Sequence, residues 1–134
     1  MKSERKRLIE KLDKLCRQIL LIRDARHDHH FQCVSCRRLL PLDTAQVGHF
    51  IPRKHFAVRW DLRNINLQCP HCNKWLSGNL VEYRKALIEM HGVEEVVKME
   101  TFYREPPRYT VFDLQEIVKQ YQGILLKYQQ SAFA

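Results

Sequence analysis

The sequence predicts an α+β protein: a core of two short strands and a helix, fastened by zinc and flanked by α-helices. Three observations carry that prediction. Two Cys-x-x-Cys pairs, Cys33/Cys36 and Cys69/Cys72, bracket a stretch with 32 residues between them. Inside it, residues 45–51 alternate as a short strand ended by Pro52, and residues 65–68 read as a second. On both sides of the stretch, apolar residues recur at helical spacing.

At 134 residues the chain is one domain's worth. We read 1–134 as a single domain: a basic helix and loop at 1–30, the Cys-bracketed core at 31–92, and a helical region at 93–134. The longest apolar run is Ile19 to Ile22, far short of a membrane span of ~20 residues. The opening MKSERKRLIE has no apolar signal segment, so a reducing cytoplasm is expected. In that compartment the five cysteines point to metal rather than to disulfides. The net charge of +8 is uneven. Residues 1–26 carry nine Lys/Arg against four acids, residues 27–78 seven against three, and the remainder seven against eight. A polyanion partner follows, facing the first two segments.

Taken in order, residues 4–26 form a helix, capped by Ser3, with Leu8, Leu12, Leu15, Ile19 and Ile22 as one stripe. That stripe either packs on its own domain or forms a short seam in a homodimer. Cys16 is a small buried residue within the helix. Residues 26–31 (RHDHHF) read as a polar loop, its histidines solvated because four thiols downstream already satisfy a zinc. Pro41 and Asp43 mark a turn. A basic loop spans 53–63. A helix begins near Pro70, is interrupted or bent by Ser77-Gly78-Asn79, and resumes from Leu80 to Met90 with Leu80, Tyr83, Leu87 and Met90 or Ile88 on one side. Gly92 ends it. A short helix covers 93–101, Pro106-Pro107 breaks the chain, and Thr110-x-x-Asp113 caps a last helix to about Gln129.

Four thiolates from two short turns match the tetrahedral preference of Zn²⁺. A closed Cys33/Cys36/Cys69/Cys72 shell has no open position, so this zinc is structural. The residues between the pairs suit one-metal phosphodiester hydrolysis. A neutral imidazole, His49, can deprotonate water near neutral pH. Asn73 offers a hard oxygen to Mg²⁺ or Mn²⁺. Asn64 can brace the loop bearing His49. Arg53, Lys54, Arg59, Arg63 and Lys74 are candidates for DNA phosphates.

His49-x-x-Pro52, Asn64 five residues before Cys69, and Cys69-x-x-Cys72-Asn73 resemble the HNH (His-Me finger, ββα-metal) nuclease motif. Gly48-His49-Phe50, Arg59 to Asn64, Gln68-Cys69, Cys72-Asn73, Ser77 to Leu80 and Tyr83 are similar to the NinG/Rap family of lambdoid phage recombination proteins. The resemblance implies an endonuclease on branched recombination intermediates, of Holliday-junction or D-loop type, working in the bacterial cytoplasm beside host or phage recombination proteins. It makes His49 the base, Asn64 the brace and Asn73 the catalytic-metal ligand. A non-catalytic, zinc-stabilised DNA-binding accessory is the alternative. One departure stands out: many HNH members place Asp or His just before the base, and here that residue is Gly48. Asp61 and Glu82 are the acids that could supply a further ligand.

Overall fold

The computed structural model describes residues 1–132, so the last two residues of the 93–134 region lie outside the described residues. In chain order the elements are α1 (Glu4–Arg23), β1 (Ala25–Arg26), β2 (His30–Gln32), β3 (Leu39–Pro41), β4 (Gln46–His49), β5 (Ile65–Gln68), a π-helical turn (His71–Trp75), α2 (Leu80–His91), α3 (Val93–Phe102) and α4 (Val111–Ala132). The fold is mixed α+β with two small antiparallel sheets, β1-β2-β3 and β4-β5. The chain divides into two compact units, one formed by Met1–Arg23 together with the chain from Pro107 onward, the other by Asp24–Pro106.

The first unit is α1 packed on α4. Ser3 Oγ accepts the Lys6 N–H at 3.1 Å and starts α1. The capping box closes reciprocally: the Asp113 carboxylate accepts the Thr110 N–H at 2.8 Å and the Thr110 hydroxyl accepts the Asp113 N–H at 3.0 Å. Buried positions are Leu12, Leu15, Cys16, Ile19 and Leu20 on α1, and Leu114, Val118 and Leu125 on α4. The leucine-isoleucine stripe therefore has its partner helix within this chain.

The second unit is built on Phe50, Ile51, Val58, Tyr83, Leu87, Val96 and Met99. β4 and β5 pair from Gln46↔Gln68 to His49↔Ile65, so the two predicted strands form a hairpin. The predicted loop at 26–31 is instead a tight hairpin between β1 and β2, with Asp28 and His29 left-handed at φ 54° and 56°. Its strands hold two and three residues, with Phe31 the one buried apolar side chain. Alternation over so short a length gives no period to read. On α2 the inward residues are Tyr83, Ala86 and Leu87, whereas Leu80 and Met90 are exposed. Ser77, Gly78 and Asn79 are all at positive φ, which turns the chain sharply before α2. Gly92 closes α2, its N–H bonding the Ile88 carbonyl at 2.8 Å. Among the described residues, no helix is long and apolar enough to cross a membrane.

Candidate functional site

Cys33 follows β2, Cys69 follows β5 and Cys72 sits in the π-turn. Between the first two cysteines and β3 the chain reverses: the Cys33 N–H bonds Arg38 O and the Arg37 N–H bonds Cys33 O, both at 2.9 Å. The four Sγ atoms lie within 4.8 Å of one another, and Cys36 and Cys69 are 3.8 Å apart. A tetrahedron with zinc–sulfur arms of ~2.3 Å has edges of about 3.8 Å. Among the described residues this is the one His/Cys/Asp/Glu group placed to hold a metal ion, zinc fitting it well. Burial pushes the Cys72 thiol up to about 12, and the neighbouring cysteine sulfurs add to the rise. Cys36 is also raised, chiefly by burial. At Cys33 burial acts the same way but is outweighed by backbone donors of Cys69, Cys36 and Ser35, which hold its thiol below the ordinary range.

The β4–β5 hairpin carries the other candidates. His49 ends β4, half-buried, with Nε2 3.1 Å from the Arg59 carbonyl. A carbonyl only accepts, so this bond requires a proton on Nε2, and the neutral ring then has its basic lone pair at Nδ1. Asn64 is fully buried. Its Oδ1 accepts the Ile51 N–H at 2.8 Å, and its Nδ2 donates to Ile51 O at 3.0 Å and Val58 O at 3.1 Å. It thus ties the end of the His49 strand to the loop that returns to β5. Asn64→Ala removes the side-chain partner of the Ile51 N–H and C=O and one of two donors to the Val58 carbonyl, which keeps the Asp61 N–H. We expect a loss of roughly 2–4 kcal/mol in chemical denaturation; an unchanged midpoint would mean the bonds are made elsewhere.

Asn73 donates from Nδ2 to Gln46 Oε1 at 2.8 Å, which joins the π-turn to β4 and turns its own oxygen away from Gln46. Tyr83, buried in α2, donates to the Gly48 carbonyl at 2.7 Å and accepts from Asn66 Nδ2 at 3.2 Å. The peptide entering His49 is therefore fixed from the helix side. This role is not evident from the chain, where Tyr83 reads as one more residue of an apolar face. A buried Tyr with its hydroxyl seeking a partner is the available signal.

Gly48 has a steric cause. A Cβ there would lie 1.9 Å from Gln68 Oε1. The Gln68 amide is fully buried and donates to Ser35 Oγ at 2.8 Å and Gly78 O at 2.7 Å. It links the first cysteine turn, the turn before α2 and β5, and its side chain fills the space beside Gly48. A ligand side chain has no room at position 48. We expect Gly48→Ala to cost ~2–3 kcal/mol through that overlap, with Gly48→Ala/Gln68→Ala recovering part of the loss in the same melt. Additive losses would refute the contact.

The other candidates separate. Arg53, Lys54 and Lys74 are exposed. Arg59 is buried, its guanidinium donating to Arg53 O at 3.2 Å and lying 5.1 Å from the centre of the Phe56 ring. Arg63 grips both oxygens of Asp61, at 3.1 and 2.8 Å, and also bonds Glu95. Burial works against the Asp61 charge, but the Arg63 bonds prevail and hold that carboxyl below the usual range. Glu82 pairs with Lys85 at 3.0 Å. The two acids the sequence offered, Asp61 and Glu82, are thus both engaged by basic side chains.

The family model described as Bacteriophage Lambda NinG protein matches residues 1–130. Protein ninG of Salmonella phage P22 is 35% identical over 96 residues, covering 71% of this chain and 46% of that protein. Protein ninG of Escherichia phage 933W is 36% identical over 96 residues, covering 71% and 47%. Protein ninG of Escherichia phage lambda is 34% identical over 96 residues, covering 71% and 46%. The chain spans about half the length of the curated relatives it matches. No solved structure matches it.

Proposed function

The chain belongs to the NinG family of phage proteins, and from that premise we propose that it is a metal-dependent DNA endonuclease with an HNH, ββα-metal site, acting on branched DNA in phage recombination in the host cytoplasm. The observation that carries the reading is the hairpin itself. His49 stands at the end of β4 with Nε2 held by the Arg59 carbonyl, and Asn73 is bonded to Gln46 at the start of the same strand. Held in this tautomer, His49 presents Nδ1 to take a proton from the attacking water. Asn64 and Tyr83 hold the backbone on either side of it, so the base loses little entropy when substrate arrives.

Asn73 Oδ1 is the ligand for Mg²⁺ or Mn²⁺, and such an ion would neutralise charge on the scissile phosphate and its leaving oxygen. With position 48 filled and Asp61 and Glu82 paired, the remaining ligands of such an ion would have to come from phosphate oxygens and water. Weak ion affinity without DNA is the consequence. Arg53, Lys54 and Lys74 are the exposed cations that meet flanking phosphates. The four-cysteine site holds structural zinc. Preference for branches rests on the resemblance of the motif to recombination nucleases.

The test is a substrate panel. Linear duplex, flap, D-loop and four-way junction of matched sequence are incubated with Mg²⁺, with Mn²⁺ or with no added divalent ion. Metal-dependent cutting, faster on the branched forms, is the expected result. Gel shifts with no cutting under either ion would replace the nuclease with a DNA-binding accessory.

A further inference from the structure

Trp75 is 82% exposed, and the chain's other tryptophan, Trp60, is 4% exposed. Exposing a whole indole discards a large apolar area, about the most costly side chain to leave in water. The turn beneath it is held by hydrogen bonds. Trp75 ends the π-turn that begins next to Cys72. The Leu76 N–H bonds His71 O at 3.0 Å and the Gly78 N–H bonds Cys72 O at 2.8 Å. Gly78 O in turn accepts from both Ser35 and Gln68, and Asn79 Nδ2 reaches Cys72 Sγ at 3.5 Å. The ring is therefore carried on a turn fastened to the thiolate cluster.

Its neighbours define the ligand. Exposed Lys74 precedes it, and Asn73, tied to the strand of His49, lies two residues back. Trp75 belongs to the basic 27–78 segment, seven Lys/Arg against three acids, of which Arg53, Lys54 and Lys74 are exposed. An aromatic face beside cations is the composition of a base-stacking platform along a phosphate backbone. In a duplex each base face is already covered by its neighbours. Of the parts of DNA, only an unpaired, unstacked base has a free face to lay on the indole.

We propose that Trp75 is a stacking platform for an unpaired DNA base, placed beside the catalytic site. The proposal deepens the nuclease reading and rests on it: it gives preference for strand junctions a residue, since a branch offers open bases and an intact duplex does not.

The test uses the zinc-loaded protein without added divalent ion, so that nothing is cut. A fluorescein-labelled dT oligonucleotide and a blunt hairpin duplex of equal phosphate number are bound, and anisotropy gives the affinities. Tryptophan emission with unlabelled DNA gives the contact, with Trp75→Phe supplying the Trp60 background. The dT strand is expected to quench the Trp75 emission, and the duplex to leave it unchanged. Trp75→Ala is expected to weaken dT binding by roughly tenfold, the value of one base–aromatic stack, with duplex binding altered less than about twofold. Binding of dT with no change in Trp75 emission overturns the proposal, as does an equal loss on both DNAs. Loss of acrylamide access to Trp75 with rising protein concentration and no DNA would assign the ring to a second copy instead. Failure of the parent to bind either DNA would overturn the nuclease reading, and the proposal with it.

Discussion

The His49→Ala protein is expected to bind DNA with the parent's affinity and to cut it roughly 10²- to 10⁴-fold more slowly, the usual share of a positioned general base. The fold should survive. His49 is half-buried and its ring makes a hydrogen bond to the Arg59 carbonyl, so truncation costs ~1 kcal/mol and a shift of a few degrees in melting. Asn64 and Tyr83, which hold the strand end, are untouched. Two further variants separate position from chemistry. In His49→Gln an amide N–H can still donate to Arg59 O, but no basic nitrogen remains, so it should be as slow as alanine. Adding imidazole to His49→Ala should restore part of the rate and do nothing to the parent. Cutting at the parent rate by His49→Ala would remove His49 from the chemistry and point to a different base.

How much of this was legible in the sequence depends on how local the signal is. The capping box at Thr110 and Asp113 lies within four residues, and it closes as its pattern implies. The cysteine pairs are 32 residues apart, but metal ligation demands such specific residues that the spacing alone announces the thiol cluster. β5 was also legible, as four residues between a basic loop and a cysteine turn. What was not legible is pairing between distant groups of ordinary type. Nothing in the chain joins Gln68 to Gly48, Ser35 and Gly78, or Arg63 to Glu95. Each contact exists only because the hairpin, the first cysteine turn and α3 meet in space. The polar RHDHHF segment reads as a loop since its strands are too short to alternate, and they form because the backbone pairs across a left-handed turn. Gly48 could be recognised as a departure from a motif. Its cause, the Gln68 amide lying against it, needed the fold.

Zinc removal should have the largest effect on stability. The unit from Asp24 to Pro106 is small enough for one cross-link to weigh heavily in its stability. The thiol cluster provides that link, joining the turn after β2 to the turn after β5. Three hydrogen bonds radiate from the same place: Val34 N–H to Leu67 O at 3.1 Å, and Ser35 and Gln68 to Gly78 O. Structural zinc sites carry an apparent ~10–16 kcal/mol of binding energy that is also folding energy, more than a domain's usual margin of ~5–15 kcal/mol. Chelation, or Cys72→Ser, is therefore expected to abolish the cooperative melt of this unit and all cleavage, with Mg²⁺ unable to restore either. Acid should act in the same direction. With no metal the Cys72 thiol is held at about 12 and stays protonated through the neutral range. Binding zinc must expel that proton, so affinity rises with pH and falls as pH drops. A competition titration against a chromophoric chelator at pH 6, 7 and 8 measures this. Proton release should accompany uptake, and affinity should weaken by at least about tenfold per unit of acidification, the linkage for one displaced proton. A melt indifferent to chelation, or affinity flat across that range, would mean that the four thiols stand together without a metal.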